Sequence, residues 1–319
     1  MAAPSPLILI CDHLGEGLSE LLGPMSSVGY RIEHSNRFST TLDRLARGPR
    51  PNVVVVDPLA RGGSAELEEI TRLTGPDEVP ILLISDPASP LRAVHAARSL
   101  GNGPWDIVQR DAPIEEILLR IDRLGVLAEG KAELEEMRFR AVHDDRTELL
   151  RPVPFITRLR EHFSAAQRHR LDMALVLADL DRFGRVNKEF DHTIGDKVIE
   201  SVGRVIRQNL REEDVGGRLG GDEFGIVLPY TRRVDAARVV HRIRDEIRRL
   251  TGPIDTSGRE LHVSASIGFE TFDGNDLESV EELRRHAEVA LRSAKEMGGH
   301  RAVYFRSLGG PVRAETAGE

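Results

Sequence analysis

Four short aliphatic runs, LILIC (7–11), NVVVVD (52–57), VPILLIS (79–85) and WDIVQ (105–109), constrain the first part of this chain more than any other feature. They are apolar without alternation, the pattern of strands buried on both faces of a parallel sheet. Amphipathic segments separate them, among them EGLSELLGPM (16–25) and SAELEEITRL (64–73). That order predicts a doubly wound α/β domain over residues 1–126, whose ligands sit at the carboxyl ends of the strands. Asp12 and Asp57 fall at such ends.

Ile117, Ile121 and Leu124 form an apolar stripe that Leu127, Leu134 and Met137 extend through a highly charged segment. Residues 127–145 therefore read as a helical stalk and as a candidate coiled-coil seam of a homodimer, interrupted at Gly130. An ordinary solvated helix is the other reading. Residues 146–306 mix strands with helices. The strands are MALVLADLD (173–181), VGGRL (215–219), FGIVLP (224–229) and LHVSASIGFETF (261–272); the helices span 156–167, 193–210, 234–250 and 279–297. An antiparallel-rich α+β sheet with helices on one side is expected. The polar tail, 307–319, is expected to be disordered.

A length of 319 residues suits two domains. The net charge of −8 argues against a sequence-independent nucleic-acid binder, which needs a basic face. Cys11 is the single cysteine, which leaves no internal disulfide or cysteine-based zinc cluster and suits a reducing compartment. No apolar run approaches the roughly 18 residues of a membrane span. The start MAAPSPLILICDHLG lacks the basic segment of a signal peptide, so a cytoplasmic protein is expected.

RLGGDEFGIVLP (218–229) places two glycines and two carboxylates at a hairpin tip, where turn chemistry requires no acids. Asp179-Leu180-Asp181 ends another apolar strand, and NKEFDHTIGDKV (187–198) leads into a helix. Carboxylates gathered at a strand end and a neighbouring hairpin form a negative cluster that a hard cation such as Mg²⁺ neutralises. Mg²⁺ takes a few carboxylates plus substrate phosphates, and paired ions clamp the attacking and leaving oxygens of phosphoryl transfer. Gly220 and Gly221 carry no Cβ to hold a triphosphate off the backbone. Asn187 and Asp196 have the donors and acceptors to read a base edge. Taken singly, each of these features is more often a turn or a cap than a site.

In order and spacing, GGDEF (220–224) and LADLDRFGRVNKEFDHTIGDKV (177–198) resemble the GGDEF diguanylate cyclases. That family's strand-to-helix segment runs D-x-D-x-F-K-x-x-N-D-x-x-G-H-x-x-G-D. The resemblance covers residues 144–306 and implies a domain like the palm of nucleotide polymerases. It implies condensation of two GTP into cyclic di-GMP with release of pyrophosphate, using two Mg²⁺ (or Mn²⁺) per active site. By position it makes Asp179, the Leu180 carbonyl, Asp222 and Glu223 metal ligands, and Asp222 also the base for the 3′-hydroxyl. Asn187, His192 and Asp196 fall on nucleotide-binding positions, with Phe183 on the floor of the site. Gly220, Gly221, Lys295 and Arg301 would face the triphosphate. Each subunit of the family holds one GTP, so a homodimer is required, and the stalk would keep two sites within reach.

Arg211 and Asp214 form R-x-x-D ahead of the hairpin, which in the family is an inhibitory site for the product, and Arg242 matches its secondary arginine. The chemistry suits, because arginine forks onto phosphate or the guanine O6/N7 edge while a carboxylate accepts from guanine N1 and N2. Several positions depart from the pattern. Gly184 stands where the family carries lysine, and Gly299 where it carries arginine, with Arg301 two residues further. Both missing cations face the triphosphate in the family, so weaker GTP binding or slower turnover is expected. Asp191-His192 replaces Gly-His, and DDRTELLRPVPF (144–155) lacks the glycine and paired arginines of D-x-L-T-G-L-x-N-R-R.

The first domain resembles, more loosely, a flavodoxin-like two-component receiver. That implies Asp57 as phosphoacceptor, with Asp12, Ser85 and Arg110 around it and a cognate histidine kinase as partner. His13 follows Asp12 where receivers carry a second acid, Arg110 stands for their lysine, and Asp111 takes the place of a cis-proline. A degenerate receiver serving only dimerisation or docking is the competing reading. For the whole chain the alternative to a cyclase is a catalytically weak effector that binds cyclic di-GMP or GTP and signals to a partner protein.

Overall fold

The computed structural model describes residues 5–12, 17–57, 63–74, 79–88, 90–100, 103–190, 192–250, 252–253 and 260–309. His13 and Asp191, singled out above, and residues 310–319 of the expected tail lie outside the described residues. The chain divides into two units, residues 1–137 and 138–319.

In the first unit β1 (Leu7–Cys11), β2 (Arg31–Ser35), β3 (Val53–Val56), β4 (Ile81–Ser85) and β5 (Trp105–Gln109) form one parallel sheet. Its order is β2-β1-β3-β4-β5. β1, β3 and β4 are buried along their whole length, as their unbroken apolar sequences demand. Helices α1 (Leu18–Leu22) and α5 (Ile114–Val142) cover one face through Leu18, Leu22, Ile117, Ile121 and Leu124. The other face is covered by α2 (Phe38–Arg47), α3 (Gly63–Thr74) and α4 (Pro90–Ala97). This is the doubly wound arrangement that the sequence predicts, with its switch point between β1 and β3. α1 is shorter than expected, giving way at Gly23 to a 3₁₀ turn, Gly23–Val28, with Pro24 at its start.

α5 runs unbroken for 29 residues, so Gly130 does not interrupt it. At about 1.5 Å per residue that is roughly 43 Å. A mid-helix glycine costs about 1 kcal/mol, which surrounding Leu, Ala, Glu and Lys residues outweigh. Leu127, Leu134 and Met137 are exposed along it.

The second unit contains α6 (Pro152–His169), β6 (Met173–Leu180), α7 (Phe183–Phe190), α8 (His192–Asn209), β7 (Val215–Arg218) and β8 (Glu223–Pro229). It continues through α9 (Arg233–Arg249), β9 (Gly252–Pro253), β10 (Glu260–Leu261), β11 (Ala265–Phe272), α10 (Val280–Glu296) and β12 (Ala302–Tyr304). The main sheet has the order β12-β11-β6-β8-β7, antiparallel except between β11 and β12. The expected strand over 261–272 is divided, with β10 ending at Leu261 and β11 starting at Ala265.

Helices cover both faces of this sheet, not one as expected. α8 and α9 pack on the side carrying Val176, Ala178, Phe224 and Ile226. α6 and α10 pack on the side carrying Met173, Leu175, Leu177 and Val227. Every residue of β6 is buried as a result. Gly217 and Gly225 face each other across β7 and β8, and Phe155 of α6 fills the space that their side chains would take. That close approach seats the hairpin against α6. At the opposite edge the fully buried Glu270 meets Arg306 Nε at 3.2 Å and His286 Nδ1 at 3.5 Å, tying a 3₁₀ turn, Phe305–Leu308, to the sheet. Among the described residues no helix is long and apolar enough to cross a membrane.

Candidate active site

The antiparallel register of β6 and β8 sets Asp179 directly opposite Glu223, and Leu180 N donates to Asp222 O at 3.2 Å. Asp179, Leu180, Asp222 and Glu223 therefore meet at one end of the sheet, as the motif spacing predicts. Burial raises the Asp179 carboxyl above the ordinary carboxylate range, and the charges of Asp222 and Glu223 push the same way. Lys295 opposes them: its Nζ lies 2.7 Å from Asp179 Oδ2. The ammonium thus stands where a cation is needed, bound to the carboxylate rather than turned to a phosphate.

Among the described residues no three acids, histidines or cysteines close into a ready cation cage. The donors at this sheet end are nevertheless hard oxygens. Mg²⁺ needs only one or two carboxylates when phosphates and water complete its shell, so the residues fit the ion. Gly221 faces open space and Gly220 turns toward Glu223, and neither has a positive φ. The backbone of the turn is open to a phosphate at Gly221.

Two anchors hold this acidic end together, and motif spacing revealed neither. Arg218 Nη1 lies 3.1 Å from both carboxylate oxygens of Asp144, while its Nε and Nη2 donate to the carbonyls of Gly220 (3.2 Å) and Gly221 (2.7 Å). Burial works against ionisation of Asp144, but hydrogen bonds from Thr147 and Arg218 prevail and lower its pKa. Asp181 accepts from Ser264 Oγ (2.7 Å), Ser266 Oγ (2.6 Å) and His300 N (2.8 Å). It fixes the turn between α10 and β12 to the end of β6. Gly299 belongs to that turn at φ +77, where a Cβ would lie 2.9 Å from Asp181 Oδ1. By contrast, a Cβ on Gly184 meets nothing within 4 Å. Arg301 donates from Nε to Gly299 O at 3.3 Å, folding back on its own turn.

The base-reading candidates gather where α7 meets α8. Asn187 and Phe183 pack against Gly195, and Asn187 Oδ1 is enclosed with no hydrogen-bond partner. Asp196 follows directly and pairs with Arg146, Nη2 to Oδ2 at 2.9 Å. His192 is exposed at the start of α8.

Arg211 and Asp214 stand on the connection into β7, beside a cavity of about 520 Å³. Asp214 Oδ2 accepts from Arg211 N at 2.9 Å, whereas Oδ1 is enclosed and unpartnered, and burial raises the carboxyl. Arg242 does not line this cavity; it holds Asn209 at the end of α8, with Nη2 to Asn209 O at 3.0 Å. Arg158 and His162 of α6 line it instead.

In the first unit Asp12, Asp57, Ser85 and Arg110 all stand at the carboxyl ends of their strands, around the switch point. Asp12, Asp57 and Ser85 are buried, and Arg110 forms an ion pair with Asp57. Arg110 N also donates to Ser85 O at 2.9 Å.

A hairpin of two glycines and two acids beside a strand-end aspartate, on a sheet covered by helices on both faces, forms an acidic sheet end suited to a divalent cation and a phosphate. The family described as diguanylate cyclase, GGDEF domain, matches residues 141–301, and the chain belongs to that family. The bifunctional diguanylate cyclase/cyclic di-GMP phosphodiesterase MucR of Pseudomonas aeruginosa is 33% identical over 181 residues, 57% of this chain and 25% of MucR. Diguanylate cyclase A of Treponema denticola is 30% identical over 196 residues, 60% of this chain and 51% of that protein. The chain thus spans a quarter to about half the length of these curated relatives. The crystal structure of the coiled coil and GGDEF domain of DgcB from Caulobacter crescentus, in complex with c-di-GMP, shares the fold. Its TM-score is 0.53 at 24% identity, over 60% of this chain and 98% of that one.

Proposed function

We propose that this chain is a diguanylate cyclase that condenses two GTP into cyclic di-GMP and pyrophosphate at a site completed by two subunits. The observation that carries the reading is the register of Asp179 opposite Glu223 with Asp222 hydrogen-bonded alongside. Asp179, the Leu180 carbonyl, Asp222 and Glu223 would hold Mg²⁺ or Mn²⁺, which supplies charge neutralisation for the triphosphate and polarises the attacked phosphorus. The chain's own residues do the rest. Asn187 and Asp196 orient the base over Phe183, and Gly221 admits the phosphates. Lys295 moves from Asp179 to the triphosphate once a metal takes its place. Asp222 accepts the 3′-hydroxyl proton, and the exposed seam of α5 brings the second subunit's GTP in line.

The R-x-x-D pocket is the site of product inhibition in this reading: Asp214 Oδ1 lacks the donors that a guanine edge would bring. The first unit acts as a receiver, with Asp57 as phosphoacceptor and a histidine kinase as donor. Its Asp57–Arg110 contact would have to break for phosphorylation, which makes that pair the element the modification acts on. The alternative, a weak cyclic di-GMP- or GTP-binding effector, draws on Gly184 and Gly299, which leave two cations missing.

The deciding experiment incubates the purified chain with GTP and Mg²⁺ and assays cyclic di-GMP by chromatography. Product that disappears with Asp222→Asn supports the cyclase. No product, even from Arg211→Ala freed of inhibition, leaves the effector.

A further inference from the structure

The pair between Arg146 and Asp196 joins two segments that the family motif keeps separate. Arg146 lies in the DDRT turn just after the stalk, at the position where the family motif D-x-L-T has leucine. Its backbone N donates to Asp144 Oδ1 at 3.3 Å, and Asp144 is itself held by Arg218. The turn therefore has a set position, and from it the guanidinium reaches Asp196 at 2.9 Å. Asp196 adjoins Gly195, on which Asn187 rests, so the contacted carboxylate is the acidic half of the base-reading pair.

A planar guanidinium offers a carboxylate adjacent N–H donors, as the N1–H and N2–H₂ edge of guanine does. Both place a flat, nitrogen-rich donor edge against two acceptor oxygens. A leucine at this position would leave the carboxylate open to water and to the base. We infer that Arg146 is a built-in competitor for the guanine edge: it occupies Asp196 in the nucleotide-free chain, must be displaced by GTP, and so sets this chain's GTP affinity. This rests on the reading of Asp196 as a guanine-binding residue. Both side chains are about half exposed, 52% and 46%, so the pair is weak enough for a nucleotide to break.

The test is equilibrium titration of the full chain with 3′-deoxy-GTP, which lacks the reacting hydroxyl, by calorimetry in Mg²⁺ buffer. Arg146→Leu should bind about 1.5- to fivefold more tightly than the parent, the range that an exposed ion pair allows. The gap should narrow as salt rises from about 0.05 to 0.5 M, because screening weakens the competing pair. Unchanged or weaker binding by Arg146→Leu would overturn the competitor role. Asp196→Ala separates the two levels of the argument. If it weakens binding while Arg146→Leu has no effect, the guanine reading stands and the competitor does not. If Asp196→Ala binds like the parent, the guanine reading itself fails.

Discussion

The two family cations missing from this chain are missing for different physical reasons, and restoring each should give opposite results. Gly299 sits at φ +77, with the space for its Cβ taken by Asp181 Oδ1 at 2.9 Å. A non-glycine residue in left-handed backbone costs about 1–2 kcal/mol. Asp181 would also have to shift from three donors, each worth about 1 kcal/mol net. Gly299→Arg should therefore lose roughly 2–4 kcal/mol. At about 2–4 °C per kcal/mol for a domain of this size, its melting temperature should drop by about 5–15 °C.

Gly184 is the contrasting case, because a side chain there meets nothing within 4 Å. Leaving glycine gains about 0.5–1 kcal/mol in a helix, and a cation in the first turn of α7 gives back about 0.3–1 kcal/mol. Gly184→Lys should melt within about 2 °C of the parent and turn over GTP faster. Thermal melts by circular dichroism, paired with pyrophosphate release, read both. A Gly299→Arg protein that melts like the parent would refute the argument that Asp181 reserves this glycine. A Gly184→Lys protein with unchanged turnover would mean that another group already supplies the charge.

Arg218→Ala removes a brace from both glycine carbonyls and leaves Asp144 without its cation; a loss of about 1–3 kcal/mol in denaturant melts is expected, with reduced turnover. Arg211→Ala should relieve inhibition by cyclic di-GMP, and Arg158→Ala should raise the inhibitory constant more than Arg242→Lys, since Arg158 lines the cavity and Arg242 holds Asn209; inhibition curves decide. Glu270 is fully buried and its carboxyl is raised by burial, so the folded state holds its proton at a pH where the unfolded chain has released it. Its penalty is absent in acid and grows as pH rises above the ordinary carboxylate range. Glu270→Gln should therefore gain melting temperature relative to the parent as pH rises from about 4 to 7; a constant gap would show that folding leaves the carboxyl's pKa unchanged, and a gap that moves the other way would show that Arg306 holds it ionised.

Legibility followed burial. The parallel core strands were readable because LILIC, VVVV and ILLIS are buried on both faces and can carry only apolar residues. β2, RIEHS, was not, since an edge strand half open to solvent has no such constraint. The same principle was available for the second unit. MALVLA is apolar without alternation, which signals a strand covered on both faces, and α6 and α10 do cover the second face. An antiparallel-rich sheet suggested one open face, and the local pattern was the better guide. Motif spacing located Asp179, Asp222, Glu223, Asn187 and Asp196, because their positions follow from one hairpin register and one helix contact. The braces stayed hidden: Arg218 reaches Asp144 across 74 residues and Ser266 reaches Asp181 across 85, separations that no local pattern encodes.

Asp179-Leu180-Asp181 shows why the braces matter. In sequence the two aspartates are equivalent, but β6 ends between them. Asp181 N leaves the β8 side to donate to Ser264 O, and its carboxylate accepts from two hydroxyls and a backbone amide. Three of the roughly four acceptor sites of that carboxylate are thus taken by the fold, which makes Asp181 a poorer ion ligand than Asp179. Asp179 has one cationic partner, Lys295, whose flexible stem lets it depart, and two acidic neighbours that make a divalent ion preferable to a single ammonium. Like charges gathered this closely repel, and the sheet end would splay unless fixed elsewhere. Arg218 fixes the hairpin side and Asp181 fixes the strand side, each through groups outside the acidic cluster. In the proposed reaction, the repulsion that Lys295 leaves uncompensated would be relieved when a metal arrives with its nucleotide. Cutting either brace should accordingly raise the Mg²⁺ concentration needed for half-maximal turnover more than it changes the rate at saturating Mg²⁺.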